Sequence, residues 1–191
     1  MDTLLSIAIG ISLSVACGFR VFVPPLVLSI AAIYGHVPLS ADFQWIGTNH
    51  AMIAFAVATL IEIAAYYIPW VDHLLDTISI PGAVAVGTYI TAALLPEGDP
   101  LLKWTIAAIA GGGSAGIIQT LTGMARLSST ALTGGVGNFI VATIEVLGAI
   151  ILSVMAIFVP ILAIALVITV VTFLTQKVIQ KRATIRESSS V

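Results

Sequence analysis

The sequence predicts an all-α integral membrane protein with about six transmembrane helices, in two inverted 3+3 repeats that contain broken or re-entrant helices. Composition predicts the membrane class, because 59% of the 191 residues are hydrophobic and only 8% are charged. Soluble domains contain about 45–50% apolar and about 25% charged residues. Two over-long apolar runs, each with one arginine, predict the repeats.

Composition also limits the partners and cofactors. The net charge of −2 provides no positive field for polyanions, so we expect the lipid bilayer and no nucleic acid as partner. One cysteine and three histidines show no metal-binding spacing, so we expect no metal and no other cofactor. No serine has an evident histidine partner, so we do not expect an enzyme.

Six apolar runs give the predicted helices: residues 4–34, 51–70, 78–95, 101–132, 139–159 and 161–175. A helix needs about 20 residues to cross a bilayer. The first and fourth runs are longer than one crossing and shorter than two. We expect each to be a full helix joined to a half-helix, with breaks near residues 18–25 and 123–130, where prolines or glycine and serine residues occur.

The first and fourth runs align with each other at an offset of about 106 residues, which pairs Arg20 with Arg126. The helices that follow pair Glu62 with Glu145. Because each half contains three crossings, an odd number, the two copies would be inverted. The predicted boundaries are residues 1–100 for the first membrane repeat, 101–182 for the second, and 183–191 for a cytoplasmic tail.

Charge asymmetry predicts the orientation. Four of the seven cationic residues lie near the C-terminus: Lys177, Lys181, Arg182 and Arg186. The positive-inside rule places that end in the cytoplasm. Six crossings then place the N-terminus there too, with the loop at residues 35–50 on the opposite side. Tyr66, Tyr67 and Trp70 are predicted to be interface aromatics.

Charged side chains inside membrane segments cost at least about 2.5–3.5 kcal/mol each, so they are candidate functional residues. Four qualify: Arg20, Arg126, Glu62 and Glu145. One interpretation is two buried ion pairs that join the halves, Arg20 with Glu145 and Arg126 with Glu62. The other is a central site in which the arginines and half-helix N-termini bind an anionic group.

The glycine-rich segment at residues 133–138 is a second candidate ligand-binding element. Three glycines and free N–H groups could cradle a phosphate or carboxylate there. The residues concerned are Ser129, Thr130, Gly134, Gly135 and Asn138, the last predicted as the N-cap of the next helix. A simple re-entrant turn is the alternative.

Several of these segments together resemble DUF4126, a bacterial and plastid membrane family of unknown function. The motifs are residues 18–24, Glu62, residues 69–76, residues 129–138 and Glu145, and the similarity runs from about residue 7 to residue 168. The resemblance implies a helical membrane fold in an inner or plasma membrane, or in a plastid or thylakoid membrane. It implies no established activity.

The predicted function is that of a small transporter- or channel-like protein. It would bind or move an anionic solute or lipid headgroup at a midplane site between the inverted repeats. The alternative is a non-transporting structural or assembly subunit of a larger membrane complex. A homo-oligomer or such a complex is the expected assembly.

Overall fold

The computed structural model describes residues 3–68, 71–169 and 172, and only the backbone of residues 72–74, 76 and 77. Within this part of the chain all regular structure is helical. The helices are α1 (Thr3–Cys17), α2 (Val23–Ile33), a 3₁₀ helix (Ala41–Gly47), α3 (Asn49–Tyr66), α4 (Val71–Leu94), α5 (Pro100–Thr133), α6 (Asn138–Phe158) and α7 (Pro160–Thr169). Trp70 and the cationic residues and tail predicted at 177–191 lie outside the described residues.

Three of these helices, α3, α5 and α6, are long and apolar enough to cross a membrane, which indicates a membrane protein and confirms the all-α class. Tyr66 at the end of α3 is hydrogen-bonded to Ser79 in the first half of α4 (2.7 Å). Ser40, before α3, donates its N–H to Ala93 O at the end of α4 (2.8 Å). Helices α3 and α4 therefore run in opposite directions. The side on which α3 begins and α4 ends is called the proximal side. The side on which α3 ends and α6 begins is called the distal side.

The first apolar run is broken at residues 18–22, as predicted, and α2 starts with prolines in its first turn. Proline is tolerated there because those N–H groups have no partner within the helix. Helix α1 has 15 residues and is therefore about 22 Å long, shorter than a hydrocarbon core of about 30 Å. It does not cross the bilayer.

Helix α1 runs antiparallel to α4 and parallel to α5. The Ser14 hydroxyl donates to the carbonyl oxygen of Gly87 (2.7 Å), and Gly10, one turn earlier, packs on Thr91, one turn later. The end of α1 meets α5, because Thr122 Oγ1 donates to Gly18 O (3.4 Å). The N-terminal end of α1 therefore lies on the proximal side.

Helix α2 returns to the same side, since it runs antiparallel to α3. Glu62, near the end of α3, accepts a hydrogen bond from the N–H of Val21 (2.7 Å). Gly47, just before α3, packs against Ala32 at the other end of α2. Helices α1 and α2 are thus a re-entrant hairpin. The prediction that the N-terminus and the loop at residues 35–50 lie on opposite sides is wrong, because α1 is too short to cross.

The fourth apolar run forms one continuous helix, so the predicted break at residues 123–130 is wrong. Glycine in a helix costs only about 1 kcal/mol, and the run contains no proline after Pro100. The hydroxyls of Ser128, Thr130 and Thr133 each donate to the carbonyl four residues earlier, which keeps them inside the helix. The irregularity is instead a π-helical segment, Ala107–Gly112.

Small residues bring α1, α4 and α5 into close contact. A Cβ added to Gly18 would lie 2.6 Å from the carbonyl oxygen of Ala115. A Cβ added to Gly87 would lie 2.8 Å from the Cβ of Ala115. Such approach of backbones replaces the hydrophobic driving force that helices lack within lipid.

Aromatic side chains mark the proximal membrane interface. The rings of Phe43, Tyr89 and Trp104 contact one another at centroid distances of 5.5 to 6.2 Å, and Tyr89 and Trp104 are partly exposed. The rings of His36 and Phe158 also meet there, at 5.6 Å, which places the end of α6 on this side. Amphipathic rings at headgroup depth are typical of membrane proteins.

Cysteine labelling tests the re-entrant hairpin. In sealed vesicles, a membrane-impermeant maleimide should label Leu4→Cys and His36→Cys from one side and Val136→Cys, between α5 and α6, from the other. The native Cys17 is buried and supplies the unlabelled background. Labelling of Leu4→Cys together with Val136→Cys would contradict the hairpin.

Substitution of Gly18 tests the close packing at the hairpin turn. Gly18→Ala should lower the free energy of unfolding by about 1–3 kcal/mol, because the added methyl group overlaps Ala115 and Ile118. Gly123→Ala is the matched control, since a Cβ there meets no atom within 4 Å. Thermal unfolding in a neutral detergent measures both, and equal effects would refute the packing argument.

Candidate ligand-binding site

Five buried side chains from four elements converge near the distal side, and we call them the charge cluster. Arg20 lies in the hairpin turn, Glu62 and Tyr66 on α3, Arg126 on α5 and Glu145 on α6. Their exposed fractions are 0, 7, 5, 1 and 3%, respectively. All four charged residues predicted from the sequence are therefore brought together.

One carboxylate serves both arginines. Glu145 Oε2 lies 3.2 Å from Nη2 of Arg20 and 3.0 Å from Nη1 of Arg126. Arg20 Nη2 also donates to the carbonyl oxygen of Ala142 on α6 (3.0 Å). The predicted pairing of Arg20 with Glu145 is confirmed, and it fixes the hairpin turn to α6.

Glu62 has a different role from the one predicted. Its Oε1 and Oε2 accept hydrogen bonds from the backbone N–H groups of Val21 (2.7 Å) and Phe22 (3.0 Å). The prediction that Arg126 pairs with Glu62 is wrong, because Arg126 contacts Glu145. The physical reason is that N–H groups at the start of α2 need an acceptor within the membrane, and a carboxylate there also matches the positive end of the helix.

The ring of Tyr66 contacts both arginines. The Cζ atoms of Arg20 and Arg126 lie 3.9 Å and 4.5 Å from the ring centroid. The Tyr66 hydroxyl is hydrogen-bonded to Ser79 Oγ on α4 (2.7 Å). A desolvated cation–π contact contributes about 2 kcal/mol or more. Tyr66 is thus a buried member of the cluster and not the interface aromatic that the sequence predicts.

Gln119, which the sequence analysis missed, ties Arg126 to the hairpin turn. With its amide oriented to satisfy both ends, Nε2 donates to Gly18 O (2.9 Å) and Oε1 accepts from Arg126 Nη2 (3.3 Å). The side chain is buried. Its spacing of seven residues from Arg126, two helical turns, was the available signal.

Arg20 retains hydrogen-bonding capacity. Its Nε and Nη1 have no hydrogen-bond partner among the described residues, although the side chain is fully buried. An unsatisfied buried donor costs about 1–3 kcal/mol, and more when charged. A guanidinium cannot shed its charge to avoid that cost. An oxyanion is the chemical group that best matches these donors.

The glycine-rich turn closes α5 and leads into α6. Gly134 (φ 63°) ends α5 in the left-handed conformation, and its N–H donates to Thr130 O (2.9 Å). Gly135 follows at φ 94°. Ser129 accepts on its carbonyl oxygen from Thr133 Oγ1 (2.7 Å). These contacts make a simple turn, as in the alternative, but the turn joins two long helices and is not re-entrant. Gly134 is exposed.

Asn138 is the first residue of α6 and not its N-cap, which is Gly137. Its Nδ2 donates to Thr130 Oγ1 (2.9 Å), and that hydroxyl donates to the backbone carbonyl of Arg126 (3.0 Å). Asn138 and Thr130 therefore connect the start of α6 to the turn of α5 that carries Arg126. Among the residues that the structure describes, no group of His, Cys, Asp or Glu side chains has a metal-binding arrangement.

The two glutamates should differ in their contribution to stability. Glu145→Gln removes the charge that both arginines contact, and loss of one partner from a buried ion pair typically costs about 3–5 kcal/mol. Glu62→Gln keeps one oxygen that can accept from Val21 or Phe22 and should cost less. Thermal unfolding of the two variants compares them, and an equal or larger loss for Glu62→Gln would contradict this assignment.

Comparison with known proteins identifies the family. No curated protein and no solved structure matches this chain. The family described as "Domain of unknown function (DUF4126)" matches residues 7–179, which include every member of the charge cluster. The match agrees with the resemblance seen in the sequence motifs. The chain belongs to the DUF4126 family.

Proposed function

We propose that this protein is a small transporter- or channel-like membrane protein that binds or moves an anionic group at the charge cluster. The observation that carries the proposal is the pair of unpartnered nitrogens on fully buried Arg20. A ligand oxyanion would satisfy donors that the protein leaves open. A cation would meet two guanidinium groups in a low-dielectric environment.

The proposed site lies in the distal half of α6, only about 4–5 Å from the middle of that helix. Glu145 lies about two turns, or about 10 Å, from the start of α6. Arg126 lies at a similar distance from the end of α5. We retain the two repeats, residues 1–100 and 101–182, as part of the proposal, because aligned Arg20 and Arg126 meet at one carboxylate. The predicted inversion is wrong, because the aligned helices α1 and α5 run parallel and the α1–α2 hairpin leaves the first half with an even number of crossings. Any such repeat has diverged, since α5 is continuous and α1–α2 is a hairpin.

We further propose that the distal side faces the cytoplasm of an inner or plasma membrane, or the corresponding compartment of a plastid or thylakoid membrane. Helix α7 begins on the proximal side, directly after α6. The orientation rests on the positive-inside rule, which assigns the cationic residues at 177–186 to the cytoplasm.

A proton is a candidate for coupling. Glu145 balances Arg20 and Arg126, so a ligand anion competes with it for the guanidinium groups. Protonation of Glu145 would remove that competitor. Anion affinity should therefore rise as the pH falls.

The alternative is a non-transporting structural or assembly subunit of a larger membrane complex, or a homo-oligomer with that role. Full burial of Arg20, with Nη2 ion-paired to Glu145 and hydrogen-bonded to Ala142 O, favours it, because a purely structural cluster needs no access. In that case the cluster joins the hairpin to α6 and binds nothing.

An anion titration separates the two proposals. The thermal stability of purified protein in neutral detergent is measured with increasing acetate or phosphate at pH 5.5 and 7.5. We expect anion-dependent stabilisation that is stronger at pH 5.5 and loses its pH dependence in Glu145→Gln. Arg20→Lys keeps the charge but loses the planar donors, and should weaken binding about tenfold or more.

Lys103→Gln is the control variant, since Lys103 lies on the proximal side, where its Nζ donates to Ser40 Oγ (3.1 Å). It should bind anions as the parent protein does. Anion-independent stability in the parent, or equal stabilisation by a cation such as choline, would overturn the proposed function and favour the structural alternative.

A further inference from the structure

An apolar cavity of about 180 Å³ lies between α1, α5, α6 and α7. Phe19, Ile118, Gly148 and Leu166 are among the side chains and backbone that line it, and its walls carry almost no polar atoms. A comparable apolar cavity of about 150 Å³ stays dry and binds benzene. The cavity is therefore suited to hydrocarbon and not to water.

Three residues that line this cavity are close in sequence to polar residues of the hairpin turn, α5 and α6. Phe19 precedes Arg20 in the hairpin turn, and Ile118 precedes Gln119 on α5. Gly148 follows Glu145 by three residues, so it lies about one turn along α6. The hydrocarbon space thus lies beside the hairpin turn that carries Arg20.

The cavity also borders the lipid-facing surface. Ile151 on α6 and Leu166 on α7 line it and remain 55% and 44% exposed. A Cβ added to Gly148 would meet no atom within 4 Å, so this wall is open. The cavity is therefore placed to receive a chain from the surrounding bilayer.

We propose that the ligand of the charge cluster is a single-chain anionic lipid of the fatty-acid class, with its carboxylate on Arg20 and its chain in the cavity. This inference rests on the proposed function and names its ligand class. A monoanionic carboxylate fits better than a phosphate dianion, because Glu145 and Glu62 already place two carboxylates near the arginines. The volume accommodates part of one chain and not two.

Access to Arg20 requires a side chain to move, since Arg20 is fully buried. Phe19 is placed to be that side chain: it lies in the non-helical turn, is only partly buried and forms part of the cavity wall. In this proposal, displacement of its ring opens the cavity toward the hairpin turn that carries Arg20.

The test is photo-crosslinking in phosphatidylcholine nanodiscs. The probe is dodecanoate with a diazirine near its methyl end, and the labelled peptides are mapped by mass spectrometry. We expect label on the cavity segments of α1, α6 or α7. Unlabelled dodecanoate should compete about tenfold better than dodecanol, because only the carboxylate gains charge-assisted hydrogen bonds.

Gly148→Leu should reduce labelling about tenfold by filling the cavity. Gly82→Leu is the matched control, because it is the same change on a helix, and a Cβ there also meets no atom within 4 Å. It should label as the parent protein does. Equal loss in both variants, or label that avoids the cavity segments, would overturn the proposal.

The competing ligands distinguish failure of the fatty-acid inference from failure of the proposed function. If acetate stabilises the protein but dodecanoate binds no more tightly than acetate, the fatty-acid inference fails and the anion site stands. If dodecanol competes as well as dodecanoate, the cavity takes neutral lipid and the inference fails. If dodecyl phosphate competes better than dodecanoate, the carboxylate assignment fails. If no anion binds, the proposed function and the inference fail together.

Discussion

Two guanidinium groups withdrawn from solvent meet one carboxylate oxygen of Glu145, at 3.2 and 3.0 Å, and the arrangement of the helices follows from that contact. Taking an ion out of water costs several kcal/mol even after relaxation, and the hydrocarbon core offers no compensation. The hairpin turn, α5 and α6 must therefore converge at one depth. Tyr66 brings α3 to the same point by contacting both arginines.

The same scarcity of polar partners explains the hairpin. Irregular backbone inside a bilayer persists only where protein satisfies its N–H and C=O groups. At this turn Glu62 accepts from two backbone N–H groups, and Gln119 and Thr122 of α5 donate to Gly18 O. The break between α1 and α2 thus depends on these contacts with α3 and α5. Glu62 and Glu145 are aligned in sequence but have different partners. Glu62 accepts from backbone N–H groups, and Glu145 pairs with the arginine side chains.

Sequence predicted the members of the cluster better than their pairing. Arg20, Glu62, Arg126 and Glu145 are conspicuous because charges are rare in apolar runs. Which carboxylate meets which arginine depends on helix depth, and that depends on whether the first run crosses or turns back. Tyr66 and Gln119 were missed because an aromatic residue near the end of a span is typical of the interface, and a single glutamine carries no charge.

The correct and the incorrect predictions of helix breaks have a common physical explanation. The Pro24–Pro25 pair correctly predicted a break, since proline removes a donor and excludes the preceding turn. Gly123, Ser128 and Thr130 predicted one wrongly, because glycine is only mildly unfavourable and hydroxyls can bond back to the helix. The glycines that change helix geometry are Gly111 and Gly112, where the π segment packs on Thr88 and Thr91 of α4. Whether a glycine changes the helix geometry thus depends on its tertiary contacts, which the local sequence pattern does not show.

A carboxylate ligand at Arg20 would make the same kind of contact that the Glu145 carboxylate makes. Glu145 occupies Nη2, so a second carboxylate on Nε or Nη1 adds hydrogen bonds without breaking the existing one, and exchange with Glu145 conserves the number of ionic contacts. The head group alone then gives little discrimination among carboxylates, because every carboxylate presents the same two oxygens. Selectivity then comes from the apolar chain, whose contacts with the cavity beside Phe19 and Gly148 grow with its length. An arginine pair already balanced by protein carboxylates is therefore better suited to an amphiphile than to a small, strongly hydrated anion.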